Sequence, residues 1–290
     1  GGLNMSNLNP FRILSNLENG KSEVKELGIA DAIIATITFT LVLSFLVGMA
    51  FGITYASSNN ALLQTSIYTL FILAITFLVV TTLFYGYYII NLYENKIVVN
   101  PIKKFTVINV LLLILSILGY LLFFDSLLMP LDKILPGFNL ITENMQFMTK
   151  NPMLLIGYTF IIGPVLLELV FRAIILGGLL KKYSSKKAIL ISALICAISS
   201  FNLAGFMCAF LLSILLGYLY VKTHSLYLCI TADILYNVTT FILLQYYPQF
   251  LLLISSNIFI IACLTIMGLL IMYLGLKKLS LNIQNINLQK

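Results

Sequence analysis

The chain has 290 residues, of which 60% are hydrophobic and only 9% are charged. A soluble domain carries about 25% charged residues, so this composition excludes a soluble globular protein, and its apolar character also excludes intrinsic disorder. The apolar residues could fill about eight membrane-spanning helices of about 20 residues each. We therefore predict an all-α polytopic membrane protein.

The formal net charge of +7 arises from 17 Lys and Arg residues against 10 Asp and Glu residues. The basic residues form short groups at the ends of apolar runs, with no basic stripe, so we expect no nucleic-acid partner. The cysteines lie inside apolar runs without CxxC spacing, which argues against disulfides and against a thiolate zinc site. These four residues are Cys196, Cys208, Cys229 and Cys263.

Three parts of the chain are predicted: a cytoplasmic amino-terminal segment (1–28), a transmembrane domain (29–276) and a cytoplasmic tail (277–290). All spans are expected to be helices, because an open strand in lipid would leave backbone groups unsatisfied. The predicted spans are 29–55, 63–93, 105–129, 153–180, 187–203, 205–222, 225–246 and 250–275.

Two segments outside the spans are expected to lie along the membrane surface. In the amino-terminal segment, Phe11, Leu14 and Leu17 recur at roughly helical spacing, which indicates a weakly amphipathic helix. The connection 130–152 contains three prolines among apolar residues, which predicts a broken interfacial helix on the outer face and no second domain.

The distribution of positive charge tests this map. With the amino terminus inside, fourteen of the seventeen basic residues fall on the cytoplasmic side and only Lys133 and Lys150 fall outside. Cytoplasmic loops of membrane proteins carry such an excess, so we predict a multi-pass protein of the cell membrane with both termini in the cytoplasm. The richness in Lys, Ile and Asn suggests a bacterial origin.

Three ionisable residues lie deep inside predicted spans. They are Glu168 and Arg172 in the fourth span and Asp233 in the seventh. Each costs roughly 2.5 to 3.5 kcal/mol at a helix centre unless it is paired or faces a cavity. The four-residue spacing of Glu168 and Arg172, with the acid first, predicts an ion pair on one helical face, and Asn237 stands at the same spacing from Asp233.

Helical rise brings further polar residues to similar depths. Glu168, Ser200 and Asn237 are predicted at about 18 to 20 Å from the cytoplasmic ends of their spans, and Arg172 and Asp233 at about 12 to 14 Å. One polar layer across spans four, five and seven is therefore possible. It is either an interhelical network that fixes packing or a pocket for a ligand or peptide.

These residues resemble the motifs of the CPBP family, which comprises CAAX-protease and bacteriocin-processing intramembrane proteases. The run Leu167-Glu168-Leu169-Val170-Phe171-Arg172 is similar to its Glu-Glu-x-x-x-Arg motif. Residues 196–200 occupy the place of Phe-x-x-x-His, and residues 233–237 that of His-x-x-x-Asn. The resemblance covers about residues 153–245 and implies a CAAX-protease-like helical bundle.

The motifs are incomplete at the residues to which the family assigns chemistry. The resemblance implies that the first Glu and the second-motif His activate water, while the third-motif His and Asn stabilise the oxyanion or contribute to a metal site. Here the two His positions hold Ser200 and Asp233, and the first Glu is replaced by Leu167. Leucine cannot accept a proton, and a serine without an adjacent base is a poor substitute for histidine. The positions that match the family are Glu168, Arg172 and Asn237.

We therefore expect no catalytic residue, and no cofactor, because zinc normally requires His or Cys ligands at close range. The only histidine, His224, lies nine residues before Asp233, about 13 Å along a helix, and cannot replace either lost one. The leading prediction is a pseudoprotease that binds a membrane protein or hydrophobic peptide, as in bacteriocin self-immunity or membrane scaffolding. An active CAAX-type intramembrane endopeptidase and a transporter component are the alternatives.

Overall fold

The structure is a computed structural model of the chain, and it describes residues 10–56, 74–75, 80, 88–91, 106–132, 155–200, 203–246 and 258–288. These residues contain eight helices and one two-stranded sheet. In chain order the elements are α1 (Pro10–Glu18), β1 (Ser22–Val24), α2 (Ile29–Ala56), β2 (Ile89–Asn91), α3 (Val107–Asp132), α4 (155–180), α5 (Ser185–Ile198), α6 (Leu203–Thr223), α7 (Leu226–Tyr246) and α8 (Ile258–Leu288).

Six of the described helices, α2, α3, α4, α6, α7 and α8, are long and apolar enough to cross a membrane. The prediction of an all-α polytopic membrane protein is confirmed. Five predicted spans agree with the observed helices to within a few residues. They are 29–55, 105–129, 153–180, 205–222 and 225–246.

The predicted fifth span, 187–203, is too long. Helix α5 has 14 residues, which is about 21 Å, whereas the hydrocarbon core of a bilayer is about 30 Å thick. A tight turn ends the helix: the Ser199 hydroxyl donates to the Cys196 carbonyl at 2.6 Å, and the Ser200 N–H donates to the Ala197 carbonyl at 3.0 Å. By itself α5 is therefore too short for the predicted span.

The predicted second span, 63–93, lies largely outside the described residues, but its last part is corrected. Residues 89–91 form β2 and pair antiparallel with β1, with Val24 opposite Ile89. Strand pairing satisfies the backbone groups of both segments. The span must therefore end before residue 89.

Helix α8 also departs from the predicted boundary. It continues through most of the predicted tail 277–290, because Leu279 and Ile283 are buried against Leu113 and Ile117 of α3. Of the predicted interfacial connection 130–152, the described part belongs to the last turn of α3, and the rest lies outside the described residues.

The amino-terminal segment and two helix junctions meet at one end of the bundle. Lys181, just after α4, forms an ion pair with Glu23 of β1 at 3.1 Å, and the Leu27 N–H donates to the Gly178 carbonyl at 3.1 Å. The Glu18 carboxylate accepts hydrogen bonds from Ser225 and Leu226, at the junction of α6 and α7. The predicted order of membrane spans places these same segments on one side of the membrane, in agreement with their contacts.

Helix α4 is not a regular α-helix. Residues Leu155–Ile162 and Leu169–Leu176 form wide π-helical turns on either side of the α-helical stretch Gly163–Glu168. Pro164 lacks an N–H and its ring clashes with the preceding turn of an α-helix, which accounts for the break at this point. The second π stretch is buried along its whole length. Such turns are frequent at functional sites.

Helices α3 and α8 form a close antiparallel pair. Two polar contacts set their register: Asn282 donates to Asn109 at 2.5 Å, and Thr265 donates to Ser126 at 3.1 Å. Between these contacts glycines bring the backbones together, since a Cβ on Gly268 would lie 2.7 Å from the Gly119 carbonyl oxygen. Small residues permit such close approach of helices in membranes.

The substitution Gly268→Ala should lower the melting temperature of the protein in detergent. Its new methyl group would overlap the α3 backbone and force the helices apart, at a cost of about 1 to 3 kcal/mol. Gly48→Ala on α2 is the matched control, because a Cβ there meets no described atom within 4 Å. Equal melting temperatures for the two variants would contradict the close packing.

Candidate functional site

The Glu168–Arg172 pair lies at the boundary between the α-helical and π-helical turns of α4. Glu168 ends the α-helical stretch, and Arg172 stands within the second π stretch. Arg172 Nη1 lies 3.0 Å from Glu168 Oε1, and the two residues are 3% and 1% exposed. The spacing in the sequence predicts this ion pair, and the structure places it in the interior of the bundle.

Helix α7 brings a second carboxyl group to the pair. Asp233 is buried and lies close enough to interact electrostatically with both Arg172 and Glu168. Asn237, one turn further along α7, donates through Nδ2 to the Asp233 carbonyl oxygen at 2.8 Å and to its Oδ1 at 3.1 Å. Arg172 is therefore ion-paired with one carboxyl group and within electrostatic range of a second, which Asn237 holds in place.

Helices α5 and α6 complete the site. The Cys196 thiol interacts electrostatically with Arg172, Glu168 and Asp233 and is hydrogen-bonded to the Ser213 side chain. The Ser192 hydroxyl, one turn before Cys196, donates to the Phe171 carbonyl at 3.2 Å and so fixes α5 against α4. We call the resulting group of side chains the polar cluster: Glu168, Arg172, Cys196, Ser213, Asp233 and Asn237.

Several sequence-predicted positions lie apart from the polar cluster. Ser200 lies in the turn after α5, and in the described part of the chain no side-chain contact joins it to the cluster. Leu167, at the position of the family's first Glu, is 36% exposed.

His224 and Asp31 also serve local structure. His224 has a φ of 49° and donates its N–H to the Tyr220 carbonyl at 2.7 Å, which ends α6. The Asp31 carboxylate accepts the Gly28 N–H at 2.9 Å at the start of α2.

The sequence interpretation missed Cys196 and Ser213 as members of the cluster. Cysteine is a common packing residue in apolar helices, so its identity alone gave no reason to select it. A spacing signal was present, because Ser192, Cys196 and Ser200 recur every fourth residue in the sequence. Only the first two lie on α5, which ends at Ile198, so the spacing pointed to Cys196 as much as to Ser200.

Metal-ligand types occur in the polar cluster as Glu168, Cys196 and Asp233. Among the residues that the structure describes, they are not grouped as metal ligands, and neither are any other three His, Cys, Asp or Glu side chains. One oxygen of Glu168 is instead paired with Arg172.

Two buried atoms of the ion pair have unused hydrogen-bonding capacity. Glu168 Oε2 and Arg172 Nε lack a hydrogen-bond partner among the described residues, as does Thr240 Oγ1 on α7. A buried polar group without a partner costs about 1 to 3 kcal/mol, and more when it is charged. The polar cluster therefore has one free acceptor and one free donor on adjacent side chains.

The fold and the cluster together define a multi-pass α-helical membrane protein with a buried polar site between its helices. Residues 149–239, which include every member of the cluster, match the family model described as Type II CAAX prenyl endopeptidase Rce1-like. The predicted resemblance to the CPBP family is confirmed over this segment, which we call the Rce1-like domain. No curated protein and no solved structure matches the chain.

The substitution Arg172→Leu should destabilise the protein by about 3 to 5 kcal/mol, because it leaves Glu168 without its buried partner. The double substitution of Glu168 and Arg172 by Leu should be less damaging, since it removes both charges together. Thermal unfolding in detergent measures both variants. Equal losses from the single and double variants would show that the two side chains are not coupled.

Proposed function

We propose that the protein is a non-catalytic member of the CPBP family that binds a hydrophobic peptide or a segment of another membrane protein through the polar cluster. The observation that carries this proposal is the unused acceptor on Glu168 and the unused donor on Arg172, both buried. A site that only fixed helix packing would be expected to satisfy its polar atoms internally.

The chemistry of the two free atoms favours an amide ligand. A peptide group offers one N–H donor and one C=O acceptor, which complement Glu168 Oε2 and Arg172 Nε respectively. In a low-dielectric site such paired contacts to charged groups contribute more than they do in water. A hydrophobic peptide combines this polar group with side chains that suit the surrounding apolar helices.

The absence of hydrolysis in this proposal rests on the motif positions. Leu167 has no proton to exchange, and Ser200 lies outside the polar cluster. General-base catalysis needs a proton acceptor within hydrogen-bonding reach of the attacking water. The two carboxyl groups of the cluster have other partners: Glu168 is ion-paired with Arg172, and Asp233 accepts a hydrogen bond from Asn237. In this proposal they therefore hold the peptide and do not activate water.

The biological setting proposed for this binding is a bacterial cell membrane, in self-immunity to a bacteriocin or in scaffolding of other membrane proteins. We infer that the end of the bundle formed by α1, the sheet and the α6–α7 junction faces the cytoplasm. Its exposed lysines, among them Lys181, Lys182, Lys186 and Lys187, support that orientation.

An active endopeptidase is the second candidate, and the description of the matching family model favours it. The two candidates differ in what happens to a bound peptide. A prenylated peptide carrying a fluorophore and a quencher reports cleavage, and a singly labelled version reports binding through fluorescence anisotropy.

With protein in lipid nanodiscs, we expect saturable binding of the labelled peptide and no increase in fluorescence from the quenched one. The double variant with Leu at positions 168 and 172 should weaken binding about tenfold or more, because it removes two charge-assisted hydrogen bonds. Thr240→Val is the matched control, since it removes a different buried polar atom without a described partner and should bind normally.

Cleavage that Glu168→Gln abolishes would overturn the non-catalytic proposal in favour of the endopeptidase. Binding that is equally strong in the double variant would remove the polar cluster from the proposal.

A further inference from the structure

Helix α1 is a separate short element with its own termination signal. It ends in a Schellman motif: Gly20 has a φ of 68°, its N–H donates to the Leu17 carbonyl at 3.2 Å, and the Lys21 N–H donates to the Asn16 carbonyl at 2.8 Å. The chain then turns back into β1. The position of α1 is thus set by its own contacts rather than by continuity with a membrane-spanning helix.

The apolar side of α1 joins the two helices that carry the charged members of the polar cluster. Leu14 is only 4% exposed and packs in one apolar group with Leu169 and Ala173 of α4 and with Leu226 and Ile230 of α7. Leu169 and Ala173 are the immediate neighbours of Glu168 and Arg172 in the chain. Leu14 therefore packs in an apolar group that joins α7 to the turns of α4 that carry the ion pair.

The polar side of α1 is attached to the first turn of α7. Glu18 Oε1 accepts the Ser225 hydroxyl at 2.5 Å, and Oε2 accepts the Leu226 N–H at 2.7 Å. A third contact is the hydrogen bond between the Ser15 and Tyr227 side chains. A carboxylate at a helix amino terminus satisfies a free N–H and interacts favourably with the helix dipole. Glu18 thus acts as the cap of α7 although it lies more than 200 residues earlier in the chain.

A buried thiol connects this cap to the polar cluster. Cys229 on α7 is 0% exposed and lies within electrostatic range both of Glu18 and of Glu168, Arg172 and Asp233. Cys229 is one helical turn before Asp233. Cys229 therefore lies on α7 between the turn that Glu18 caps and Asp233 of the polar cluster.

From these contacts we infer that α1 is a releasable clamp, which holds α4 and the first turns of α7 together through Leu14, fixes the start of α7 through Glu18, and closes the polar cluster on this side. When the Glu18 cap is lost, the start of α7 loosens and water reaches Cys229. The inference rests on the proposed function only for the identity of the ligand, a hydrophobic peptide, that would enter once α1 is released. The closure itself requires no ligand.

The rate of Cys229 alkylation by a small water-soluble maleimide tests the clamp. The full-length protein in nanodiscs is treated without peptide, and mass spectrometry measures modification at each cysteine. Glu18→Ala and Leu14→Ala should each raise the rate at Cys229 about tenfold or more, because local opening that was rare becomes frequent. Glu18→Gln, which keeps an acceptor oxygen, should give a smaller increase.

Two controls separate local opening from unfolding. Glu23→Ala breaks the exposed ion pair with Lys181 at the same end of the bundle and should leave the Cys229 rate within about twofold of the native protein. Cys208 contacts Tyr236 in the other core cluster, so its rate should not change while the bundle stays folded.

Two results would overturn the clamp: an unchanged Cys229 rate in all three α1 variants, or an equal increase in Glu23→Ala. If Glu18→Ala also raises the alkylation rate at Cys208, that variant has unfolded the bundle. The Cys229 rates of Glu18→Gln and Leu14→Ala then decide whether the clamp exists. Because the alkylation experiment contains no peptide, its outcome is independent of the peptide-binding experiment. Either proposal can therefore be overturned while the other is supported.

Discussion

The ion pair between Glu168 and Arg172 is the interaction around which the helices of this protein are arranged. Neither side chain is stable alone in an apolar interior, because an unpaired buried charge costs several kcal/mol. The pair therefore requires α4 to present both residues on one face and requires α5, α6 and α7 to surround them. The π-helical turns of α4 serve the same end, since they change the direction in which Arg172 leaves the helix while keeping its backbone hydrogen-bonded. Asp233 and Cys196 are the further side chains that these neighbours bring within electrostatic range of the guanidinium group.

The pair of helices α3 and α8 is held together by close backbone packing. Helices α3 and α8 approach through glycines, with amide and hydroxyl pairs near the two ends of the contact. The two polar contacts are separated by 17 residues on each helix, about 25 Å, so they hold the pair in one register. This rigid pair is joined to the rest through the cluster that includes Tyr120 and Tyr236. The protein thus combines a tightly packed support with a charged region that keeps unused hydrogen-bonding capacity.

Most of the fold could be predicted from the sequence because membrane insertion is a strong and local constraint. A run of about 20 apolar residues has few alternatives in lipid, and the spacing of Glu168 and Arg172 depends only on helical geometry. The errors arise where tertiary contacts decide. Helix α5 ends at Ile198, inside its apolar run, in a turn closed by the Ser199 hydroxyl and the Ser200 N–H, so Ser200 does not continue the helical series on which its predicted depth rests. Residues 89–91 are apolar enough to extend a span, but they pair with a strand distant in sequence. The cap from Glu18 to α7 has no local signal at all, since its partners are separated by more than 200 residues.

The two ends of α7 link these observations. Its first turn is capped from outside the Rce1-like domain, by α1, whereas its middle carries Asp233 and Asn237 of the family motif. A helix that is fixed at its start by one carboxylate and positioned in its middle by electrostatic contact with Arg172 responds to a change at either place. Loss of the cap would shift Asp233 relative to the ion pair, and occupation of the free Glu168 and Arg172 atoms would alter the contacts that hold α4 against α7 and α1. The two effects are thermodynamically linked. If release of α1 strengthens ligand binding by a given free energy, then binding of the ligand weakens the α1 contacts by the same free energy.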